Sequence, residues 1–337
     1  MVAATDLPIP NFFDADKVDQ VWRVPYQERA AQARQWAQQY QIPPASEDRQ
    51  RTILLLIDVQ NTFCLPDFEL FVHGAVADNQ RLCRFIYTHL AQISEIIVTL
   101  DTHTASQIFH PLFWVNPAGE HPLPLTTITL QEVESGYWQP NPHLLPSLPL
   151  ADLESLQAYA RYYVAQLAAK GKFPLTIWPY HSMLGGIGHA LVSAVEEACF
   201  FHTVARQQQT RIELKGSHPL TENYSVLRPE VSHDPQGRPL MPLNTALIEH
   251  LLAGDRLIIA GQAKSHCVAW TVADLLSEIQ QRDPQLAQRV YLLEDCMSPV
   301  VVPGVVDFSE TADATFAGFA AAGMHRITTT TTTPLNL

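Results

Sequence analysis

The sequence predicts a three-layer, doubly wound α/β protein built on a mainly parallel six-stranded sheet. Two observations carry this prediction: short apolar runs bounded by polar residues, and helical segments between most of them. Continuous apolar runs are typical of strands buried on both faces of a parallel sheet. Their alternation with helices indicates helical layers on both sides. The predicted strands are 51–60, 94–101, 211–216, 256–261, 289–295 and 325–330.

The main domain is predicted to begin at the first of these strands. Residues 1–50 are polar and rich in Gln, with one helical stretch, and we expect a helical arm there rather than a domain. The strands RTILLLIDVQ, SEIIVTLD, RLIIAG and RVYLLED have the clearest apolar runs, whereas RIELKG and HRITTT are weaker. The domain is therefore predicted to span 51–330, with a short C-terminal tail at 331–337.

An insertion interrupts this pattern at about 111–173. It is rich in Pro and holds one helical piece, ADLESLQAYARYYVAQLAAKG, and long loops of this kind usually have a functional role. Farther along, the segment after Cys267 has apolar residues at helical spacing, which predicts an amphipathic helix. Gly323 is predicted to cap the last helix. The apolar positions of the first of these helices are Val268, Val272, Leu275, Leu276 and Ile279.

Composition narrows the class of protein. The chain has 337 residues, 47% of them hydrophobic, and a formal charge of -13, so neither nucleic acid nor an anionic membrane is expected as a partner. The N-terminal sequence lacks the pattern of a signal peptide, and we expect a cytoplasmic protein. Its five scattered cysteines, with no CxxC pair, predict neither a disulfide framework nor a thiolate zinc site.

Polar residues at the strand ends are the candidates for chemistry, because ligands of open α/β sheets bind at the carboxyl ends of the strands. Cys267 follows a strand and begins a predicted helix, where a helix dipole and a nearby lysine would stabilise a thiolate. Asp58 could act as general base, with Lys215 supplying the charge. The pattern equally permits a helix-capping Asp58, a solvated Lys215 and a Cys267 that only fills core space.

A second candidate site is a metal centre. Asp101 and His103 lie two residues apart at a strand end, so their side chains point the same way. A carboxylate and an imidazole could form part of an open metal site. The third ligand could be His110 or His181, and spacing does not decide between them. With 14 histidines in the chain, a chance pairing is also an adequate explanation.

Together these segments resemble the isochorismatase-like cysteine hydrolases, and among them the nicotinamidase branch. The resemblance runs in order from about Arg51 to Thr330 and is interrupted by the insertion. The matching segments are LLLIDVQNTFC with a downstream HGA, TLDTH, WPYHS, ELKG, GQAKSHCVAWT and PGVVDFSETADATFAGFAAAG.

The resemblance implies a role for each site residue. Asp58, Lys215 and Cys267 correspond to the catalytic base, the lysine and the nucleophile. Asp101, His103 and His181 correspond to the ligands of one divalent metal ion, with zinc expected before iron or manganese. The backbone amides of Ala263 and Cys267 correspond to the oxyanion donors, beside a cis peptide bond near Gln262. The expected substrate contacts are Phe63, His110 and Tyr224, with Glu222 a further candidate.

The implied activity is hydrolysis of a small amide through a Cys267 thioester, with nicotinamide as the first candidate substrate. Thr102 and Ser182 depart from the family pattern, and the insertion and the N-terminal arm enlarge the chain. If these two segments form the pocket wall, the substrate is another small amide or a ureido compound. A non-catalytic binding protein that kept the fold is the third possibility, although all three catalytic positions are present. The resemblance also implies a homo-oligomer.

Overall fold

The computed structural model describes residues 6–169 and 173–330, and its largest sheet has six strands. Every residue of the first strand is buried, as expected of a strand covered on both faces. All six predicted strands are present, and each begins and ends within three residues of its predicted bounds. In chain order they are β1 (Thr52–Ile57), β2 (Glu95–Asp101), β3 (Arg211–Lys215), β4 (Arg256–Gly261), β5 (Val290–Leu293) and β6 (His325–Ile327).

The strand order places a reversal of the chain next to β1. The order is β6-β5-β4-β1-β2-β3, so the chain first builds outward on one side of β1 and then on the other. β1 is parallel to both of its neighbours, and β5 is parallel to β4 and β6. The reversal lies between β1 and β4. In doubly wound sheets such a switch point marks the ligand-binding end of the strands.

Helices accompany the sheet as predicted. The longer helices are α1 (Tyr26–Gln39), α2 (Ala75–Thr88), α3 (Leu153–Ala169), α4 (Ser193–Arg206), α5 (Thr245–Leu252), α6 (Ala269–Arg282) and α7 (Ser309–Ala321). Helix α4 packs against α1 and α2, and α6 packs against α7. The predicted apolar face near α6 is confirmed, since only Leu276 among its five residues is half-buried rather than buried. None of the described helices is long and apolar enough to cross a membrane.

The chain divides into two compact units. Among the described residues, the first unit comprises 6–100, 190–213 and 245–330, and the second comprises 101–169, 173–189 and 214–244. The second unit has its own apolar core, which includes Trp114, Tyr159 and Tyr163. The predicted insertion at about 111–173 lies entirely within this second unit, and its helix is α3.

The segment predicted as an N-terminal arm belongs to the packed interior of the first unit. Val18 and Ala33 are completely buried, and they join the same core cluster as Leu54 and Leu56 of β1. The helix α1 packs on α4, where Arg29 Nε lies 2.8 Å from Glu197 Oε1. This part of the chain therefore stabilises the first unit.

Two predicted boundaries are wrong. The last strand ends at Ile327 because hydrogen bonds to Asp295 hold the residues after it. Thr329 donates its backbone N–H to Asp295 Oδ1 at 2.9 Å and its hydroxyl to Asp295 Oδ2 at 2.6 Å. Cys267 does not begin an α-helix but lies within a π-helical turn, Lys264–Val268, that precedes α6. Gly323 has a φ of +105° directly after the α7 cap, as predicted. The predicted tail at 331–337 lies outside the described residues.

Candidate functional site

Three buried side chains of the second unit could hold a metal ion. They are Asp101, the last residue of β2, His103 two residues later, and His181. One ligand atom of each lies within 4.8 Å of those of the other two. Asp101 Oδ2 is 2.8 Å from His103 Nε2 and 3.6 Å from His181 Nε2. We call these three residues the metal group. A carboxylate and two imidazoles are typical ligands of a divalent ion that keeps positions open for water or substrate.

Backbone carbonyls orient both imidazole rings of the metal group. His103 Nδ1 donates to the Gly216 carbonyl at 3.0 Å, and His181 Nδ1 donates to the Pro179 carbonyl at 2.8 Å. Each ring therefore presents Nε2 to the group, as metal-binding histidines usually do. His103 also lies between two acceptors, so either a proton or a metal ion must lie between its Nε2 and Asp101. This donor set fits a divalent cation.

The surroundings of Asp101 and His181 favour the protonation states that bind metals. Burial alone would raise the pKa of Asp101, but the charges of His103 and Lys215 outweigh burial and hold that pKa well below its usual value. Lys215 Nζ donates to Asp101 Oδ1 at 2.8 Å and to the Asn223 carbonyl at 2.9 Å. Burial lowers the pKa of His181. Near neutral pH, Asp101 is therefore a carboxylate and His181 is uncharged, as ligation requires.

Gly216 lets the backbone pass close to the metal group. Its φ is +79°, and a Cβ at this position would lie 2.6 Å from His103 Cε1 and 2.8 Å from Asp101 Oδ1. Gln107 Nε2 also donates to the Gly216 carbonyl, beside the His103 ring. The ELKG segment predicted only its lysine, so Gly216 and Gln107 were not predicted. The glycine directly after that lysine was the available signal.

Asp58 follows β1 in the first unit, and a hydroxyl holds its carboxylate. Asp58 is completely buried and has a φ of +49°. Its Oδ1 accepts from Thr99 Oγ1 at 2.6 Å, and its backbone N–H donates to the same hydroxyl at 3.1 Å. Thr99 belongs to the neighbouring strand β2. Two hydrogen bonds to one hydroxyl thus fix the carboxylate at the end of β1.

Cys267 lies in a tight turn that begins where β4 ends. Gly261 pairs with Ile57 of β1 and has a φ of +121°, and a Cβ there would lie 2.0 Å from the Ile57 carbonyl oxygen. The next peptide bond, Gln262–Ala263, is cis, at the predicted place. Cys267 is 8% exposed. We call residues 261–267 the thiol turn. It lies at the switch point of the sheet, next to the strand that carries Asp58.

A buried polar network holds the thiol turn. Gln262 Nε2 donates to Asp78 Oδ2 at 2.8 Å, and the backbone N–H of Ser298 donates to Gln262 Oε1 at 3.2 Å. Arg81 donates to the other oxygen of Asp78 at 2.7 Å. Gln262 also donates its backbone N–H to the Ile57 carbonyl at 2.8 Å. The turn is therefore tied to α2, to β1 and to the segment after β5.

Comparison with known proteins gives matches by structure alone. No family model matches the chain, and no curated protein matches its sequence. The nicotinamidase/pyrazinamidase of Acinetobacter baumannii is 18% identical with a TM-score of 0.50, and the match covers 84% of this chain and 99% of that one. The yeast nicotinamidase bound to nicotinaldehyde is also 18% identical with a TM-score of 0.50, over 82% of this chain and 99% of that one. The chain has the isochorismatase-like hydrolase fold. At 18% identity the likeness is one of fold alone.

Within this isochorismatase-like fold, His110 lies beside the metal group rather than in it. His110 is completely buried, and its Nδ1 donates to the Thr104 carbonyl at 3.0 Å. Its ring centroid lies 5.7 Å from that of His103 and 5.6 Å from that of His181. Burial, and then the charges of the same two histidines, lower the pKa of His110 to about 3. Of the two candidates that spacing left open, His181 is the one grouped with Asp101 and His103.

The other predicted substrate contacts are largely covered by protein. Phe63 lies in the short helix Asn61–Cys64 and is 8% exposed. Tyr224 and Glu222 are buried in the second unit, where Trp178 Nε1 donates to Glu222 Oε1 at 2.7 Å. Burial and the charge of Glu230 raise the pKa of Glu222 to about 8. Glu222 therefore has a structural environment that favours its protonated form.

The other four cysteines have environments that suit a structural role. All four are buried and free of disulfides. Burial raises the pKa of Cys64 and of Cys199 to about 12, and it raises those of Cys83 and Cys296 well above the usual value. These thiols are protonated at neutral pH and are poor nucleophiles. This holds also for Cys64, although it lies only six residues after Asp58.

Proposed function

We propose that this protein is a metal-assisted cysteine amidohydrolase, and that nicotinamide is the first substrate to test. The observation that carries the proposal is the buried metal group with its carbonyl-anchored histidines and its lysine. The likeness of fold to two nicotinamidases supports the choice of nicotinamide. Conversion of nicotinamide to nicotinate would release ammonia.

The proposal assigns the covalent step to Cys267. Asp58 takes the thiol proton, the charge of Lys215 favours the thiolate, and sulfur attacks the amide carbonyl carbon. The backbone N–H groups of Ala263 and Cys267 hold the oxygen as it gains negative charge. The C–N bond then breaks, and ammonia leaves with the proton that Asp58 returns. A water molecule hydrolyses the thioester, which releases the acid and restores the thiol.

The metal group has a positioning role in this proposal. Asp101, His103 and His181 would hold one divalent ion, with zinc as the first candidate. Such an ion supplies a fixed Lewis-acid site that orients a substrate nitrogen or oxygen. Lys215 keeps Asp101 ionised, and the carbonyls of Gly216 and Pro179 keep the two rings turned toward the ion. His110 and Phe63 are the proposed substrate contacts, and Tyr224 is an alternative one.

One observation favours a second candidate, a hydrolase of another small amide or ureido compound. Thr102, where the family pattern has an aromatic residue, is hydrogen-bonded through Oγ1 to His189 Nε2 at 2.9 Å. Thr102, between the ligands Asp101 and His103, thus makes a contact that an aromatic residue would not make. This difference favours a substrate of another shape than nicotinamide. A panel of nicotinamide, pyrazinamide and small ureido compounds separates the two candidates.

Ammonia release from this panel tests the proposed activity. We expect the wild type to release ammonia from at least one compound and Cys267→Ala to lose all of that turnover. Cys199→Ala is the matched control, because Cys199 lies in α4 and its thiol is protonated at neutral pH; it should retain turnover. Undiminished turnover in Cys267→Ala would contradict the nucleophile assignment.

Metal analysis tests the metal group separately. We expect about one divalent ion per purified chain and its loss in His181→Ala, since three protein ligands are typical of an open site. His121→Ala is the control, because its Nδ1 also donates to a backbone carbonyl, that of Trp114, but it is not part of the group. Full metal content in His181→Ala would show that another residue completes the site.

A further inference from the structure

Helix α3 of the insertion makes hydrogen bonds to a short segment at 220–223. Tyr159 and Tyr163 lie one turn apart on α3, and both are buried. The Tyr159 hydroxyl donates to the Leu220 carbonyl at 2.7 Å. The backbone N–H of Glu222 donates to the Tyr163 hydroxyl at 3.1 Å. Two phenols thus hold two backbone groups of this segment, which we call the strap.

The strap ends at the carbonyl that Lys215 contacts. Lys215 Nζ donates to the Asn223 carbonyl at 2.9 Å, and Lys215 and Asn223 are 2% and 4% exposed. The N–H held by Tyr163 belongs to the residue just before Asn223. A shift of that N–H would therefore move the carbonyl that holds the ammonium group. Lys215 in turn donates to Asp101 of the metal group.

Contacts from outside α3 also hold the strap. Trp178 Nε1 donates to the side chain of Glu222, and the backbone N–H of Glu230 donates to the Glu222 carbonyl at 2.8 Å. The backbone N–H of Val231 donates to Thr221 Oγ1 at 3.2 Å. These bonds brace the strap from one side, and the two phenols brace it from α3.

We propose that Tyr159 and Tyr163 are positioning residues for Lys215, so that the insertion sets the geometry of the lysine. This inference rests on the proposed function of Lys215. A phenylalanine at either position would leave a buried Leu220 carbonyl or a buried Glu222 N–H without its partner. Such groups are costly to bury, and the strap would have to shift to find new partners. The ammonium group would then move with Asn223.

Kinetics of Tyr→Phe variants test the proposal. We expect Tyr159→Phe and Tyr163→Phe each to lower kcat for ammonia release by about tenfold, because small displacements of a reacting group are costly. KM and metal content should stay within twofold of wild type. Tyr162→Phe is the matched control, since it makes the same change on the same helix at a half-buried position. It should leave kcat unchanged.

The pattern of kinetic changes decides between explanations. A rise in KM with unchanged kcat would overturn the proposal and make the insertion a wall of the substrate pocket. Lower thermal stability with unchanged kcat would also overturn it, since the phenols would then only support the core. If one of the two single variants fails to fold, the other carries the test.

A measurement that needs no substrate separates this inference from the proposed function. The side-chain ammonium signal of Lys215 can be followed by ¹H–¹⁵N NMR and assigned by its absence in Lys215→Met. We expect the signal to shift in Tyr159→Phe and Tyr163→Phe and to stay in place in Tyr162→Phe. An unmoved signal would overturn the positioning role whatever the activity. A shifted signal together with full ammonia release by Lys215→Met would support positioning and contradict the proposed function of the lysine.

Discussion

The metal group and the thiol turn are held in place by different interactions. Charges surround the metal group, where Lys215 and His103 keep Asp101 ionised and backbone carbonyls turn the rings. Side-chain hydrogen bonds hold the thiol turn, through the buried amide of Gln262 and the carboxylate of Asp78. The metal group should therefore be sensitive to added side-chain atoms near its ligands and to changes of charge. The thiol turn should respond to the loss of single hydrogen bonds.

The largest effect on metal binding is expected from Gly216→Ala. The new Cβ would overlap His103 and Asp101, and the residue would keep a φ that is unfavourable for alanine. We expect metal affinity to fall about 100-fold, the upper end for disturbed support of a ligand. Competition with a metal-binding dye measures this. Gly237→Ala is the matched control, because its φ is +77° and nothing lies within 4 Å of its added Cβ. Equal metal affinity in both variants would contradict the role given to Gly216.

A pH-dependent effect on the free energy of unfolding is expected from Glu222→Gln. The pKa of Glu222 is raised from 4.5 to about 8, first by burial and then by the charge of Glu230. The folded state therefore binds more protons than the unfolded state between these values, and this contribution to stability is lost as the pH rises from about 4.5 to about 8. Gln cannot ionise, so at pH 8 the variant should be more stable than wild type by about 4 kcal/mol.

Urea unfolding at two pH values measures that difference. Near pH 4.5 the wild type and Glu222→Gln should be nearly equally stable, because Glu222 is then protonated in the folded protein. Glu154→Gln, an exposed position on α3, is the control and should change stability at neither pH. A stability difference that is the same at both pH values would mean that Glu222 is already ionised in the folded protein.

The smallest effect is expected in the thiol turn, from Asp78. Asp78→Ala leaves the buried Nε2 of Gln262 without its acceptor, which costs about 1–3 kcal/mol of unfolding free energy. Asp78→Asn keeps an oxygen acceptor and should cost less, since the partner Arg81 is 41% exposed and such ion pairs contribute little. Thermal unfolding ranks the two variants. Metal content should be unchanged in both variants. Loss of metal in either variant would contradict the claim that the two regions are held by different interactions.

Much of the fold could be predicted because buried parallel strands are continuous apolar runs. RTILLLIDVQ and RLIIAG became β1 and β4, and the polar residues after them lie at the switch point. The predicted last strand is too long, because Thr329 bonds to the carboxylate of Asp295, 34 positions away. No local pattern reveals such a contact.

The support of the site could not be predicted for a similar reason. The acceptors that orient His103 and His181 are backbone carbonyls, which every residue has, so composition does not identify them. Asp78 and Gln262 are 184 positions apart in the sequence. The sequence pattern of α3 indicates only that its tyrosines are core residues. Spacing also left His110 and His181 equivalent. The family resemblance implied His181, and the folded chain groups His181 with Asp101.

Trapping the intermediate tests the central claim, a thioester on Cys267, most directly. The wild type would be mixed with the best amide of the panel, quenched in acid during turnover and digested for peptide mass spectrometry. The account predicts an acyl group on the peptide that contains Cys267, with the mass of the substrate less ammonia, and none on the peptides of the other cysteines. Active enzyme with unmodified Cys267 at every quench time, together with full turnover in Cys267→Ala, would contradict it.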